Sequence, residues 1–232
     1  MGTTMIEPRF TALNDNEILK YLGFRGQELT EEIAAQIHRC SDEVLAASTP
    51  RLTYRQVPIE DGAVLGVAFA GKDIPQMLAP CEEAVLFGAT LGPSVERLMM
   101  RSEVTNAADA VIMDACASTA IENICNNFEA DMRAAVEAEG RYLTDRFSPG
   151  YGDLPITEQP KFFSLLDMTR RIGVSLTPTT IMVPRKSVTA IMGIARTPQP
   201  HRPPDCEHCL MFRTCPFRKA GRRCREGAKT GK

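Results

Sequence analysis

The run Arg146-Phe147-Ser148-Pro149-Gly150-Tyr151 sets a guanidinium, a hydroxyl, a rigid Pro-Gly pair and a phenol within six residues. Proline fixes its own φ, and glycine enters positive φ about as readily as negative, so the pair predicts a turn. Such a turn presents backbone groups of Ser148 and Gly150 to a ligand, flanked by Arg146 and Tyr151. An arginine fork grips a carboxylate through two parallel hydrogen bonds. A small zwitterion carrying a ring, such as an amino acid joined to a nucleoside, suits that set. The competing reading is a structural turn with a surface arginine and a packed tyrosine.

The second group capable of chemistry is a set of cysteines near the C-terminus. Cys206 and Cys209 form a C-x2-C pair; five residues separate Cys209 from Cys215, and eight separate Cys215 from Cys224. Four thiolates within nineteen residues can hold an iron–sulfur cluster or, alternatively, zinc. His208 is a further possible ligand. Neighbouring basic side chains offset the thiolate charge and lower thiol pKa values. Cys40, Cys81, Cys116 and Cys125 lie in apolar surroundings and read as small core residues.

Charge divides the chain at the same place. Ala195 to Lys232 carries 10 Lys/Arg and 3 Asp/Glu, a balance of +7. Subtraction from totals of 27 and 29 leaves 17 basic and 26 acidic residues before it, a balance of −9. With Pro198, Pro200, Pro203 and Pro204 at the junction, this predicts an acidic body, residues 1–195, and a basic Cys-rich tail, residues 196–232.

Several blocks in the body resemble the activation domain of cobalamin-dependent methionine synthase. Arg146, Gly150 and Tyr151 fit its Arg-x-x-x-Gly-Tyr motif. Glu17-Ile18-Leu19-Lys20-Tyr21-Leu22-Gly23-Phe24, Pro80-Cys81-Glu82-Glu83-Ala84-Val85-Leu86 and Ala89-Thr90-Leu91-Gly92-Pro93 resemble stand-alone versions of that domain, so the likeness covers roughly residues 14 to 195. It implies that S-adenosylmethionine is bound, with Arg146 on its carboxylate, the Ser148 backbone at the adenosine end and Tyr151 near the sulfonium or sugar. The stretch Ala115-x-Ala117-x-x-x-x-Glu122 resembles one whose Glu contacts the ligand, which nominates Glu122. A second family Glu, six residues before the motif arginine, is Gly140 here, with Glu139 beside it. Asp153 follows the turn as a candidate or as a cap.

The resemblance further implies a reactivation subunit that supports reductive methylation of cob(II)alamin to methylcobalamin. The Asp-x-His-x-x-Gly cobalamin signature is missing, so the cobalamin is expected on a partner methionine synthase or other corrinoid protein. A cluster in the tail could supply the electron in place of flavodoxin, or the basic tail could dock a reductase. Two other classes compete: an S-adenosylmethionine sensor or assembly factor, and a zinc-knuckle nucleic-acid-binding module using Phe212 and Phe217.

The elements that must position these groups read as α+β: a mixed or antiparallel sheet with flanking helices and one long helix, plus the metal-binding tail. Expected helices are Thr30–Ala47, one capped by Ser94, Ser102–Glu139 with a bend or break, and Lys161–Ile172 closed by Gly173. Expected strands are Leu52–Ile59 and Ala63–Ala70 joined through Asp61-Gly62, a buried Ala84–Thr90, and a hairpin of Thr179–Val183 with Ser187–Ile194. No Gly-x-Gly-x-x-Gly and no βαβ series argue for a Rossmann-type methyltransferase. His38, His201 and His208 supply no hydrolase triad, and no catalytic base stands out. No run of ~18 apolar residues predicts a membrane span. The N-terminus has no signal-peptide pattern, which with the cysteine usage predicts a cytosolic protein.

Overall fold

The structure is a computed structural model that describes residues 2–8, 12–24, 29–200, 213 and 216–219. The chain divides into two compact units. One comprises Met1–Arg9, Thr49–Pro93 and Ile124–His201; the other comprises Phe10–Ser48, Ser94–Asn123 and Arg202–Lys232.

The first unit is built on an antiparallel sheet. Its strands are β1 (Thr4–Ile6), β2 (Arg51–Glu60), β3 (Ala63–Val64), β4 (Cys81–Thr90), β5 (Tyr142–Leu143) and β8 (Ser187–Ala195). They run in the order β1-β2-β4-β8-β5, with β3 on β2. The apolar run Ala84–Thr90 lies inside β4, a central strand buried on both faces, which explains its unbroken hydrophobicity. β8 is buried almost as continuously. One face carries Val57, Leu86, Ile191, Phe162, Leu166 and Met168 in a single apolar cluster. On the other face Phe128 packs on Tyr54 and Phe87, with ring centroids 5.3 and 4.9 Å apart.

The hairpin at Asp61-Gly62 forms as expected: φ is 51° and 73°, both positive as a type I′ turn requires. Its second strand stops at Val64, far short of Ala70. A second turn follows at Leu65-Gly66, closed by paired Val64–Val67 hydrogen bonds of 3.0 Å. The hairpin expected between Thr179–Val183 and Ser187–Ile194 does not form. β7 (Met182–Val183) pairs instead with β6 (Ser175–Leu176), while β8 is claimed by β4 and β5. The helix expected over Lys161–Ile172 is also corrected. A 3-10 turn (Ile156–Glu158) leads into Gln159–Leu166, and Asp167, in the left-handed region at φ 53°, separates it from Met168–Ile172. The Asp167 carboxylate accepts a 2.5 Å bond from Arg170 Nε. The break seats Met168 over Gly88, where a β-carbon would collide with its sulfur. Gly173 closes this segment at φ 72°, as expected.

The helices of the chain are α1 (Asp15–Tyr21), α2 (Glu31–Ala47), α3 (Asp73–Leu78), α4 (Pro93–Thr105), α5 (Ala107–Ala138), α6 (Gln159–Leu166), α7 (Met168–Ile172) and α8 (Pro216–Lys219). α2 starts where expected, with Thr30 Oγ1 accepting the Ile33 N–H at 3.3 Å. α4 begins two residues earlier than a Ser94 cap implies. Pro93 opens it, a position that needs no N–H, and Ser94 inside the first turn accepts a bond from Arg97 instead of capping. The break expected in the Ser102–Glu139 segment falls at Asn106, whose side-chain oxygen accepts the Ala108 and Asp109 N–H groups at 3.1 and 3.3 Å. α5 is thus capped independently of α4 and runs 32 residues, about 48 Å at ~1.5 Å per residue. Its first half belongs to the second unit and its second half to the sheet unit.

Within the second unit, Asp109 is buried and accepts hydrogen bonds from Gln36 Nε2 at 2.7 Å and Arg39 at 2.8 Å. The Arg39 bond, helped by Gln36, holds its carboxyl below the usual carboxylate range. His38 is exposed and lies 3.0 Å from Asp15. Among the described residues no helix is long and apolar enough to cross a membrane.

Candidate functional site

The loop from Leu143 to Leu154 is held at both ends by long-range bonds. At its start, β5 pairs Tyr142 with Ala195 and Leu143 with Ile194. Thr144 continues this ladder, its N–H donating to Gly193 O at 2.9 Å and its hydroxyl accepting Gly193 N–H at 2.8 Å. Phe147 then exchanges two 2.9 Å bonds with Ile191. Three steps along the loop therefore match two along β8, so Asp145 and Arg146 together stand opposite Met192. This is a β-bulge, a device that re-aims side chains at an edge.

The bulge delivers Arg146 to α5. Its guanidinium lies 3.3 Å from Glu129 Oε2, and both side chains are about four-fifths buried (20% and 17% exposed). The other oxygen of Glu129 is 3.1 Å from Arg133. Arg133 donates to the carbonyls of Leu143 at 2.6 Å and Thr144 at 3.3 Å, and stands 3.5 Å from Asp145. Glu129, Arg133, Asp145 and Arg146 thus take part in one partly buried ion-pair network across α5 and the bulge. Burial makes such pairs stronger than surface ones and less sensitive to salt.

After the bulge comes the Pro-Gly turn. Tyr151 N–H donates to Ser148 O at 3.2 Å, with Pro149 and then Gly150 at φ 93° between them, as a type II turn demands. Gly150 N–H reaches Leu154 O at 2.8 Å and Leu154 N–H returns to Tyr151 O at 3.0 Å, closing the loop. Pro149 and Leu154 are buried, Ser148 half-buried, and Tyr151 is 68% exposed. The loop's far end is pinned by Asp153, whose carboxylate accepts the backbone N–H groups of Lys72 at 2.6 Å and Asp73 at 3.1 Å. These two bonds hold its pKa below the ordinary value. Asp153 is therefore the cap of α3, donated from 80 residues away, and Asp73 returns the favour by accepting Asp153 N–H at 3.3 Å.

Arg146, Ser148, Gly150 and Tyr151 thus share one anchored loop. Glu122 is half-buried on α5 and belongs to the other unit. Cys206, Cys209, Cys215 and Cys224 lie outside the described residues. Among the described residues, no group of three or more His, Cys, Asp or Glu could hold a metal. Cys40, Cys81, Cys116 and Cys125 are buried free thiols, as expected of core residues. Burial pushes Cys40 and Cys81 up to about 11 and Cys116 to about 12.

Sequence reasoning missed Glu129, Arg133 and Asp145. A signal existed in the Glu129-x-x-x-Arg133 spacing, which pairs side chains one helical turn apart, but nothing local connects that pair to Arg146.

The anchored turn thus lies on an antiparallel α+β sheet and sets a paired arginine beside a half-buried serine and an exposed tyrosine. Residues 97–199 match the family model of the vitamin B12 dependent methionine synthase activation domain. The range contains the whole loop together with Glu122 and Glu129, so the resemblance read from the sequence is borne out. The fold is similar to the crystal structure of the MetH reactivation domain bound to AdoHcy, with a TM-score of 0.62 and 16% identity over 83% of this chain and 78% of that one. No curated protein matches the sequence.

Proposed function

We propose that this chain binds S-adenosylmethionine at the Arg146–Tyr151 turn and serves the reactivation of a corrinoid methyltransferase. The observation that carries the reading is the loop itself: a bulge-aimed, partly buried arginine followed by a rigid type II turn. It lies in a fold similar to that of a reactivation domain solved with AdoHcy. Arg146 grips the ligand carboxylate, the turn backbone around Ser148 and Gly150 meets the adenosine end, and Tyr151 lies along the sulfonium or sugar. Glu122 is a further candidate contact. Asp153 serves as the cap that holds the turn.

The chemistry needs no general base from this chain. A reduced cobalamin held by a partner protein would supply the nucleophile for the sulfonium methyl, and this chain would hold S-adenosylmethionine so that its carbon–sulfur bond can break and S-adenosylhomocysteine leave. The methyl transfer is irreversible and draws the unfavourable reduction forward. The protein contributes position, placing the methyl group in line with the metal. The partner is a cobalamin-binding methionine synthase or another corrinoid protein, served in trans. The tail cysteines Cys206, Cys209, Cys215 and Cys224 would hold an iron–sulfur cluster, with zinc the alternative, and would serve electron delivery.

Calorimetric titration of S-adenosylmethionine into anaerobically prepared protein tests the reading. Saturable binding is expected. Arg146→Ala, which removes a desolvated charge contact of on the order of 2–4 kcal/mol, should weaken it roughly 30- to 1,000-fold. Equal affinity in the two proteins would refute the assignment.

A further inference from the structure

The ion-pair network around Arg146 has a direction to it. Arg133 is anchored first: it rises from α5 and is tied to two backbone carbonyls of the loop, at Leu143 and Thr144. Glu129 is next, one turn earlier on the same helix and held by Arg133 through Oε1. Only then comes Arg146, on the bulge, met by Glu129 through Oε2. Each carboxylate oxygen of Glu129 therefore serves one guanidinium, and the helix helps to hold the Arg146 side chain in place. A free arginine side chain carries about 2 kcal/mol of rotamer entropy, which a ligand would otherwise have to oppose on binding.

We infer that Glu129, braced by Arg133, is a positioning residue that presets the Arg146 guanidinium for a ligand carboxylate. The inference rests on the S-adenosylmethionine reading of the turn. A guanidinium has five donors in a planar fork, so one arginine can answer the helix carboxylate and a ligand carboxylate together. The negative charge of Glu129 also sets a threshold. An anion approaching Arg146 meets a guanidinium already paired with Glu129. Simple anions therefore gain little there, whereas a ligand whose carboxylate is accompanied by its own ammonium and sulfonium groups keeps the local charge near balance. The site accordingly selects the zwitterionic amino-acid end over a bare carboxylate.

The test uses the full chain and two probes, S-adenosylmethionine and its decarboxylated form, which retains the sulfonium and the adenosine but has nothing for Arg146 to grip. Glu129→Gln keeps the side chain's shape and removes its charge. It should weaken S-adenosylmethionine roughly tenfold, as expected for residues sharing one charged network, while leaving the decarboxylated probe within about twofold. In an Arg146→Ala background the same substitution should change neither probe. Unaltered S-adenosylmethionine affinity in Glu129→Gln, with loss in Arg146→Ala, overturns the positioning role and leaves the site reading standing. Equal weakening of both probes assigns Glu129 to general loop packing and also overturns it. Failure of the unsubstituted protein to bind S-adenosylmethionine removes the site reading and this inference with it.

Discussion

Gly71→Ala should damage the candidate site from a distance, and the size of the damage follows from two separable costs. Gly71 has φ 89°, outside the range a β-carbon tolerates, and alanine there costs about 1–2 kcal/mol. The new β-carbon would also lie 2.5 Å from Asp153 Oδ1 and 2.7 Å from Asp153 O. The second atom is backbone, so no side-chain rotation relieves the clash; the Asp153 turn must move, an overpacking cost of about 1–3 kcal/mol. Together these give roughly 2–5 kcal/mol. Gly140→Ala is the matched control, because Gly140 has a similar φ of 71° but no atom within 4 Å of its β-carbon. It should show the backbone cost alone, about 1–2 kcal/mol. Urea denaturation followed by far-UV circular dichroism suits a chain without tryptophan. With m near 3 kcal/mol/M, the Gly71 midpoint should fall about 0.3–1 M below that of the Gly140 variant. Since Asp153 caps α3 and anchors the end of the Ser148–Tyr151 turn, Gly71→Ala should also weaken S-adenosylmethionine, whereas Gly140→Ala should not. Coincident midpoints would refute the claim that the loop is packed against the start of α3.

The Arg146→Ala and Glu129→Gln titrations test the ligand site and its brace. In a variant with Cys206, Cys209, Cys215 and Cys224 changed to serine, Ellman's reagent at pH 8 should detect no thiol in the native protein and four in denaturant. For Cys40, Cys81 and Cys116 the reason is that burial raises their pKa values from 9.0 to about 11, 11 and 12. The folded state then holds protons that the unfolded state releases, so stability is full below pH 9 and falls as pH rises from 9 towards 11; a flat stability profile over that window would contradict their burial. Anaerobically purified protein should contain iron and sulfide in stoichiometric amounts, measured by metal analysis and visible absorption. Stoichiometric zinc without iron would remove the electron-delivery role of the tail.

Features whose chemistry is local were legible in the sequence. The Asp61-Gly62 turn, the Gly173 stop and the Pro149-Gly150 turn each need only the φ range or the hydrogen bond of one or two residues, and each forms as read. The buried run Ala84–Thr90 was legible for the same reason, since only a central strand is apolar on both faces. What the sequence hid was settled by partners far along the chain. Asp167 interrupts a helix with no glycine or proline to announce it, because Met168 must sit over Gly88. Met182-Val183 has the composition of a strand that could pair with β8, yet β8 is already flanked by β4 and β5. Asp153 could be read as ligand contact or cap from sequence; two backbone N–H groups 80 residues upstream make it a cap.

The placement of these anchors bears on how a short motif keeps its geometry. Phe147 is fixed to Ile191 and Asp153 to Lys72 and Asp73, so the five residues between them have both ends set by the sheet and by α3. Within that span Pro149 fixes one dihedral and Gly150 supplies the one positive φ the turn needs. Arg146 lies just outside the span, on the bulge, and is held from a third direction. One partner there is Glu129 on α5, a residue the motif does not contain. A motif can thus carry the residues that touch a ligand while the residue that aims the most important of them is set by the helix behind it.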